Sequence, residues 1–129
     1  MAEIGEALFT RLSGYAPLIE LVAQRIYPQR LPQESSLPAV SIFNLDKTPV
    51  HALQTDAGLK RAFYQVSVYA KKFSEAKAVA KQIRACLQDY SGTVAAVVIQ
   101  KIIFVRQGDS FDDTTETYHI PSDVEIWHE

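Results

Sequence analysis

The side chains able to do chemistry are few in this chain and poorly spaced for it. His51, His119 and His128 could each ligate a metal, yet no two stand at the i, i+4 spacing that puts both on one helix face. The only cysteine, Cys86, cannot form an internal disulfide. It lies on the apolar side of a helical pattern near the C-terminal end, whereas a nucleophilic thiolate needs a helix N-terminus or a cationic neighbour, so it reads as a core residue. Asp109, Asp112 and Asp113 have the composition of a cation-binding turn but lack the alternating ligand series and distal glutamate of an EF-hand loop. They read as a solvated hairpin tip. Gly5, Gly14, Gly58, Gly92 and Gly108 are isolated, and none opens a helix after a strand to cradle a phosphate. A G-x-S-x-G elbow is absent too. No catalytic residue, metal or cofactor is assigned.

Two surface groups invite a binding role. Lys71, Lys72, Lys77, Lys81 and Arg84 run from the end of a strand onto the outer face of a helix. The plain reading is a solvated helix face, and the functional one is a weak electrostatic contact with DNA or an acidic partner. Aromatic residues do not interleave with them as a base-stacking platform requires. Phe63 and Tyr69 alternate with Arg61, Gln65 and Ser67 on the outward side of a strand, where rings of that size suggest that a partner subunit covers the face.

The elements that must position these groups follow from periodicity. Ile4, Ala7, Leu8, Phe9 and Leu12 form a helical stripe ending at Ser13-Gly14, and Pro17 starts a second short helix through Leu18 to Ala23. Pro28, Pro32 and Pro38 forbid helix in the next stretch, making Arg25 to Leu31 an edge strand or extended arm. Ala39 to Leu45 alternates as a strand, and Asp46 to Gly58 reads as a long loop. Leu59 to Lys71 is the clearest strand, with Ala62, Tyr64, Val66, Val68 and Ala70 on its dry face. Ser74 is the expected N-cap of a helix whose stripe is Phe73, Ala76, Ala80, Ile83, Leu87 and Tyr90, closed at Ser91-Gly92. Val94 to Arg106 reads as one buried central strand. Thr114 to Trp127 returns from a turn as a strand interrupted by Pro121. This order predicts an α+β fold: a mostly antiparallel sheet with the N-terminal helices and one long helix packed on one face.

At 129 residues, with 47% hydrophobic and 22% charged residues, the chain fits one domain spanning residues 1–129 that folds on its own. No apolar run has the length of a membrane span, and the first residues lack the basic start and apolar core of a signal peptide, so a reducing cytosol is expected. A formal charge of −2 argues against a dedicated DNA-binding surface over most of the protein.

The order of prolines and aromatics carries a further signal. Arg25-Ile26-Tyr27-Pro28, then Leu31-Pro32-Gln33, then Leu37-Pro38-Ala39-Val40 resemble the tail-terminator or tail-completion proteins of long-tailed bacteriophages. Arg61 with Tyr64 to Ala70, the helix bearing Glu75-Ala76, Ala80, Ile83, Arg84 and Leu87, and the closing Tyr118 to Trp127 continue the similarity. Glu34-Ser35-Ser36 stands where that family often has glycine, and Ser67 where it often has an acidic residue. The resemblance implies a structural virion protein, assembled in the host cytoplasm, with no catalysis. It implies a ring, usually a hexamer, that caps the head-proximal end of the tail tube, ends tube growth and joins the head connector. Before meeting the tube such a protein is either a ring already or a monomer. The implied partners are further copies of itself, the major tail tube protein and the connector or closure protein, with DNA passing through the lumen unbound. Subunit-interface candidates are then Arg25, Tyr27, Pro28, Leu31, Arg61, Phe63 and Tyr69. Lys47, Val50, His51 and Leu53 are candidates for tube or connector contact, and Asp109, Asp112 and Asp113 for the lumen. The competing readings are another neck component, such as a head-closure or minor tail protein, and a small dimeric enzyme or ligand-binding domain with Tyr64, Tyr118 or His119 in a pocket between sheet and helices.

Overall fold

Leu8 and Leu12 stand one helical turn apart and, with Ala7, turn a single face inward to form α1 (Ile4–Ser13). The computed structural model describes residues 4–28, 36–45 and 60–129. Gly14 and Tyr15 break the helix, and α2 (Ala16–Val22) starts with Pro17 in its first turn, where the missing N–H costs nothing. Leu18 and Val22 of α2 are fully buried. Phe9, expected on the apolar stripe, is 37% exposed.

The strands β1 (Ile26–Pro28), β2 (Ala39–Asn44) and β3 (Lys60–Ala70) precede the long helix α3 (Phe73–Leu87). The strands β4 (Gly92–Val94), β5 (Val97–Gln107), β6 (Ser110–Asp112) and β7 (Thr117–His128) follow it. One seven-stranded sheet has the order β1-β2-β3-β7-β5-β4, with β6 pairing β7 beyond the end of β5. Among the described residues only β1 with β2 is parallel. The fold is α+β, with all three helices contributing to the core on one face of the sheet.

That core is written in the strand alternation. Ala62, Tyr64, Val66, Val68 and Ala70 of β3 lie opposite Ile126, Val124, Ser122, Ile120 and Tyr118 of β7. Val40, Ile42 and Ile102 extend the layer on either side. Ala76, Val79, Ala80, Ile83, Cys86 and Leu87 of α3 cover it, the alanines allowing close approach of helix to sheet. Each fully buried Leu or Ile contributes roughly 1.5–3 kcal/mol of transfer free energy.

Five local expectations are corrected. Val94 to Arg106 is not one strand: Ala95 (φ 50) and Ala96 (φ 66) form a two-residue turn between the paired Val94 and Val97, dividing β4 from β5. Positive φ at both central residues is what a type I′ hairpin turn requires. Nor is β5 central, since it lies between β7 and the edge strand β4, and β3 and β7 occupy the middle. Pro121 does not interrupt β7. Its carbonyl accepts from Gly108 N–H at 3.2 Å, so its missing N–H falls at the junction where β5 ends and β6 begins. Lys72, not Ser74, is the N-cap residue of α3, with extended backbone and no side-chain cap bond. The helix ends at Leu87, with Asp89 in the left-handed region (φ 59), while Gly92 belongs to β4.

Candidate functional site

The sheet face opposite the helices is built by the residues that alternate with the core. Across β3 and β7, Arg61 lies opposite Trp127, Phe63 opposite Glu125, Gln65 opposite Asp123, Ser67 opposite Pro121 and Tyr69 opposite His119. On the β2 side Phe43 is level with Gln65, Ser41 with Ser67 and Ala39 with Tyr69. Tyr27 of β1 is level with Ser41. On the β5 side Lys101 is level with Trp127, Ile103 with Glu125 and Arg106 with Asp123.

Contacts across this face hold its side chains in place. The rings of Tyr69 and His119 stack with centroids 4.5 Å apart and planes 6° from parallel. Gln65 Nε2 donates to Asp123 Oδ1 at 3.1 Å, and Ser67 Oγ donates to Gln65 Oε1 at 3.3 Å. Arg61 Nη1 sits 3.5 Å from Glu125 Oε1, and the guanidinium lies 5.3 Å from the Phe63 ring and 5.5 Å from that of Trp127. An exposed pair of this kind is worth less than about 1 kcal/mol alone, but with two rings beside it the arginine is held ready for a partner. Phe43 remains 44% exposed. His119 Nε2 is buried without a hydrogen-bond partner among the described residues, and burial lowers the imidazole pKa below its usual 6.5 against the opposing pull of Asp112. The arrangement offers flat rings and oriented polar groups, as protein interfaces do, with no nucleophile next to a base.

Of the interface candidates, Tyr27, Arg61, Phe63 and Tyr69 share this face. Arg25 instead donates from Nε to the Pro38 carbonyl of its own chain at 2.9 Å. Pro28 is level with Ile42 on the helix side, where it lines a recess of about 430 Å³ with Gly5, Glu6, Phe9, Ile42, Asn44 and Tyr64. Leu31, Lys47, Val50, His51, Leu53 and the loop Asp46 to Gly58 lie outside the described residues. Asp109, Asp112 and Asp113 sit at the β5–β7 tip: Asp109 pairs with Lys77 at 3.3 Å, and Asp112 Oδ1 accepts from Thr114 N–H at 2.9 Å. Tyr64, Tyr118 and His119 do not converge on a pocket. Tyr64 is level with Val124, six residues or roughly 20 Å along β7 from Tyr118, and His119 points to the opposite face. Among the described residues no group of three or more His, Cys, Asp or Glu side chains is placed to hold a metal. Phe43, His119 and Trp127 belong to the open face although no sequence motif singles them out; the alternation of β7 through 119, 121, 123, 125 and 127 is the signal that finds the last two.

The model of the family described as tail completion protein gp17 matches residues 6–129. The chain belongs to the tail completion protein gp17 family. A tail completion protein is a structural component of a phage tail, and the family is not one of enzymes. The fold recurs in a chain of the virion of a native gene transfer agent particle, with a TM-score of 0.78 and 19% identity over 98% of this chain and 94% of that one. A second solved structure shares it with a TM-score of 0.65 and 13% identity over 98% and 93% of the two chains. No curated protein sequence matches.

Proposed function

We propose that this tail completion protein, a single domain over residues 1–129, closes into a ring on the head-proximal end of the tail tube, ends tube growth and offers the surface that joins the head connector. The observation that carries the reading is the family match over residues 6–129, beside a fold that also occurs in a gene transfer agent virion. A closed ring of identical copies is a head-to-tail assembly, in which each copy brings two different, complementary surfaces. The open sheet face supplies one of them: Phe63 and Tyr69 present rings there, with Tyr27 beside them and Arg61 oriented by Glu125. The partners are further copies, the tube protein and the connector or closure protein, and DNA passes through the lumen.

The test adds fluorescently labelled protein to purified tail tubes and images the ends. Recruitment to one end, with no further growth of the tube from that end, supports the reading. Binding to the portal or its adaptor ring and not to tubes would replace it with a head-closure role. Phe63→Glu with Tyr69→Glu is expected to abolish recruitment while leaving the thermal melt of the isolated chain within a few degrees of wild type, because both side chains sit off the helix-covered core. Unchanged recruitment would remove the open face from the assembly.

A further inference from the structure

We propose, resting on the ring reading above, that the outer face of α3 seats the acidic β6–β7 tip of a second copy of this chain, a contact between copies beside that of the open sheet face. Lys77, Lys81 and Arg84 follow the spacing i, i+4, i+7, which confines them to an arc of about 60° and about 10 Å of helix axis. Lys72 adds a fourth cation at the helix start, and all four are exposed. The tip carries four exposed carboxylates: Asp109, Asp112, Asp113 and Glu116.

Within one copy these two sets meet at a single ion pair, Lys77 with Asp109 at 3.3 Å. Lys71 Nζ also donates to the Thr115 carbonyl at 3.1 Å, so the tip leans on the first turn of its own α3. Among the described residues Lys72, Lys81 and Arg84 form no ion pair with an acid, and Asp113 and Glu116 form none with a base; Asp112 faces the His119 imidazole and accepts from Thr114 N–H. Three cations on and just before the helix and two anions on the tip are left over in one copy, and a neighbour supplies what each lacks. Arg84 is already oriented, its guanidinium 5.3 Å from the Phe104 ring. Exposed rings border both sets, Phe73 (41%) at the helix start and Phe111 (47%) on the tip, giving the contact an apolar component to bury. Duplex DNA fits this surface less well, because the carboxylates that begin 3.3 Å from Lys77 repel phosphates approaching the same stripe. On this pairing Asp113 and Glu116 face the neighbouring copy.

Two charge-reversed chains test the pairing: Lys81→Glu with Arg84→Glu, and Asp113→Lys with Glu116→Lys. Each substitution is exposed, and thermal melts check that both chains fold. Assembly is measured by light scattering over a concentration series at low and high salt, and by counting occupied tail-tube ends. Each variant alone is expected to associate at least about tenfold more weakly than wild type, since two attractions become repulsions. An equimolar mixture regains assembly, because every interface then joins opposite charges. Wild-type-like assembly of either variant alone, or a mixture that stays apart, overturns the pairing while leaving the ring intact. Loss of retention on duplex DNA by the Lys81→Glu, Arg84→Glu chain, with its assembly unchanged, assigns the stripe to DNA instead. Wild-type protein that neither associates nor occupies tube ends defeats the ring reading itself, and this pairing with it.

Discussion

Replacing Arg11 by alanine should cost this protein about 2–4 kcal/mol. Helix α3 ends at Leu87, and its last carbonyls lack partners within the helix. Gln88 N–H takes the Arg84 carbonyl, Tyr90 N–H takes that of Leu87, and Asp89 N–H reaches across to Ile102. The Cys86 carbonyl is left to Arg11, which donates to it from Nε at 3.3 Å and Nη2 at 3.1 Å. The same guanidinium lies 4.1 Å from the Tyr90 ring centroid and 5.7 Å from that of Tyr15, and its charge suits a helix C-terminus. A hydrogen bond from a charged donor is worth about 1.5–3 kcal/mol, counted once because both donors share one acceptor, and the ring contact adds about 0.5–1 kcal/mol. For a domain of this size, between the small and larger classes, that loss lowers Tm by roughly 8–16 °C. Urea unfolding followed by Trp127 fluorescence measures it. Arg11→Met, which keeps the aliphatic stem, should still lose more than half of the total, and Arg11→Lys should recover only part, having no planar fork. An alanine variant within about 0.5 kcal/mol of wild type, or a methionine variant equal to it, would refute the argument that α1 is bonded to the end of α3 through this side chain.

The β4–β5 turn places Ala95 and Ala96 at positive φ, where an L side chain costs about 1–2 kcal/mol per residue, so Ala95→Asn with Ala96→Gly should raise stability by about 1–2 kcal/mol in the same urea assay; a loss would show that the alanines pack against something essential. His119 is held below its ordinary pKa of 6.5 by burial, so the unfolded chain binds the proton more readily than the folded one. Its contribution is therefore neutral above about pH 6.5, and stability falls as pH drops below that value. His119→Phe, which keeps a ring against Tyr69, should flatten the acid side of the profile of Tm against pH, and an unchanged profile would exclude His119 as the cause.

Much of the fold was legible because periodicity is a local property. The alternation in β3, the stripe on α3 from Ala76 to Leu87 and the breaks at Ser13-Gly14 and Pro17 needed no knowledge of distant residues, whereas Phe73, expected on that stripe, is 41% exposed. So too were the buried Cys86, whose thiol burial pushes up to about 11, and the aromatic outward face of β3. The β4–β5 turn was not legible, since Val94-Ala95-Ala96-Val97 contains no glycine, asparagine or proline and its left-handed residues are imposed by the pairing on either side. The run of apolar residues in β5 looked central, yet strand order is settled by which edges meet, and the Thr-bearing β7 took the middle position. Pro121 looked like an interruption because only the gap between β5 and β6 makes its missing N–H harmless.

The same division holds for the surfaces. By itself the sequence determined that Phe63 and Tyr69 face away from the core and that Lys77, Lys81 and Arg84 share one side of a helix, because a strand's period of two and a helix's 3.6 fix side-chain direction. Only the tertiary structure decided that His119 stacks on Tyr69, that Trp127 and Glu125 flank Arg61, and that the acidic tip meets the start of α3, because strand register and helix packing bring together residues between 32 and 66 positions apart that no local rule connects.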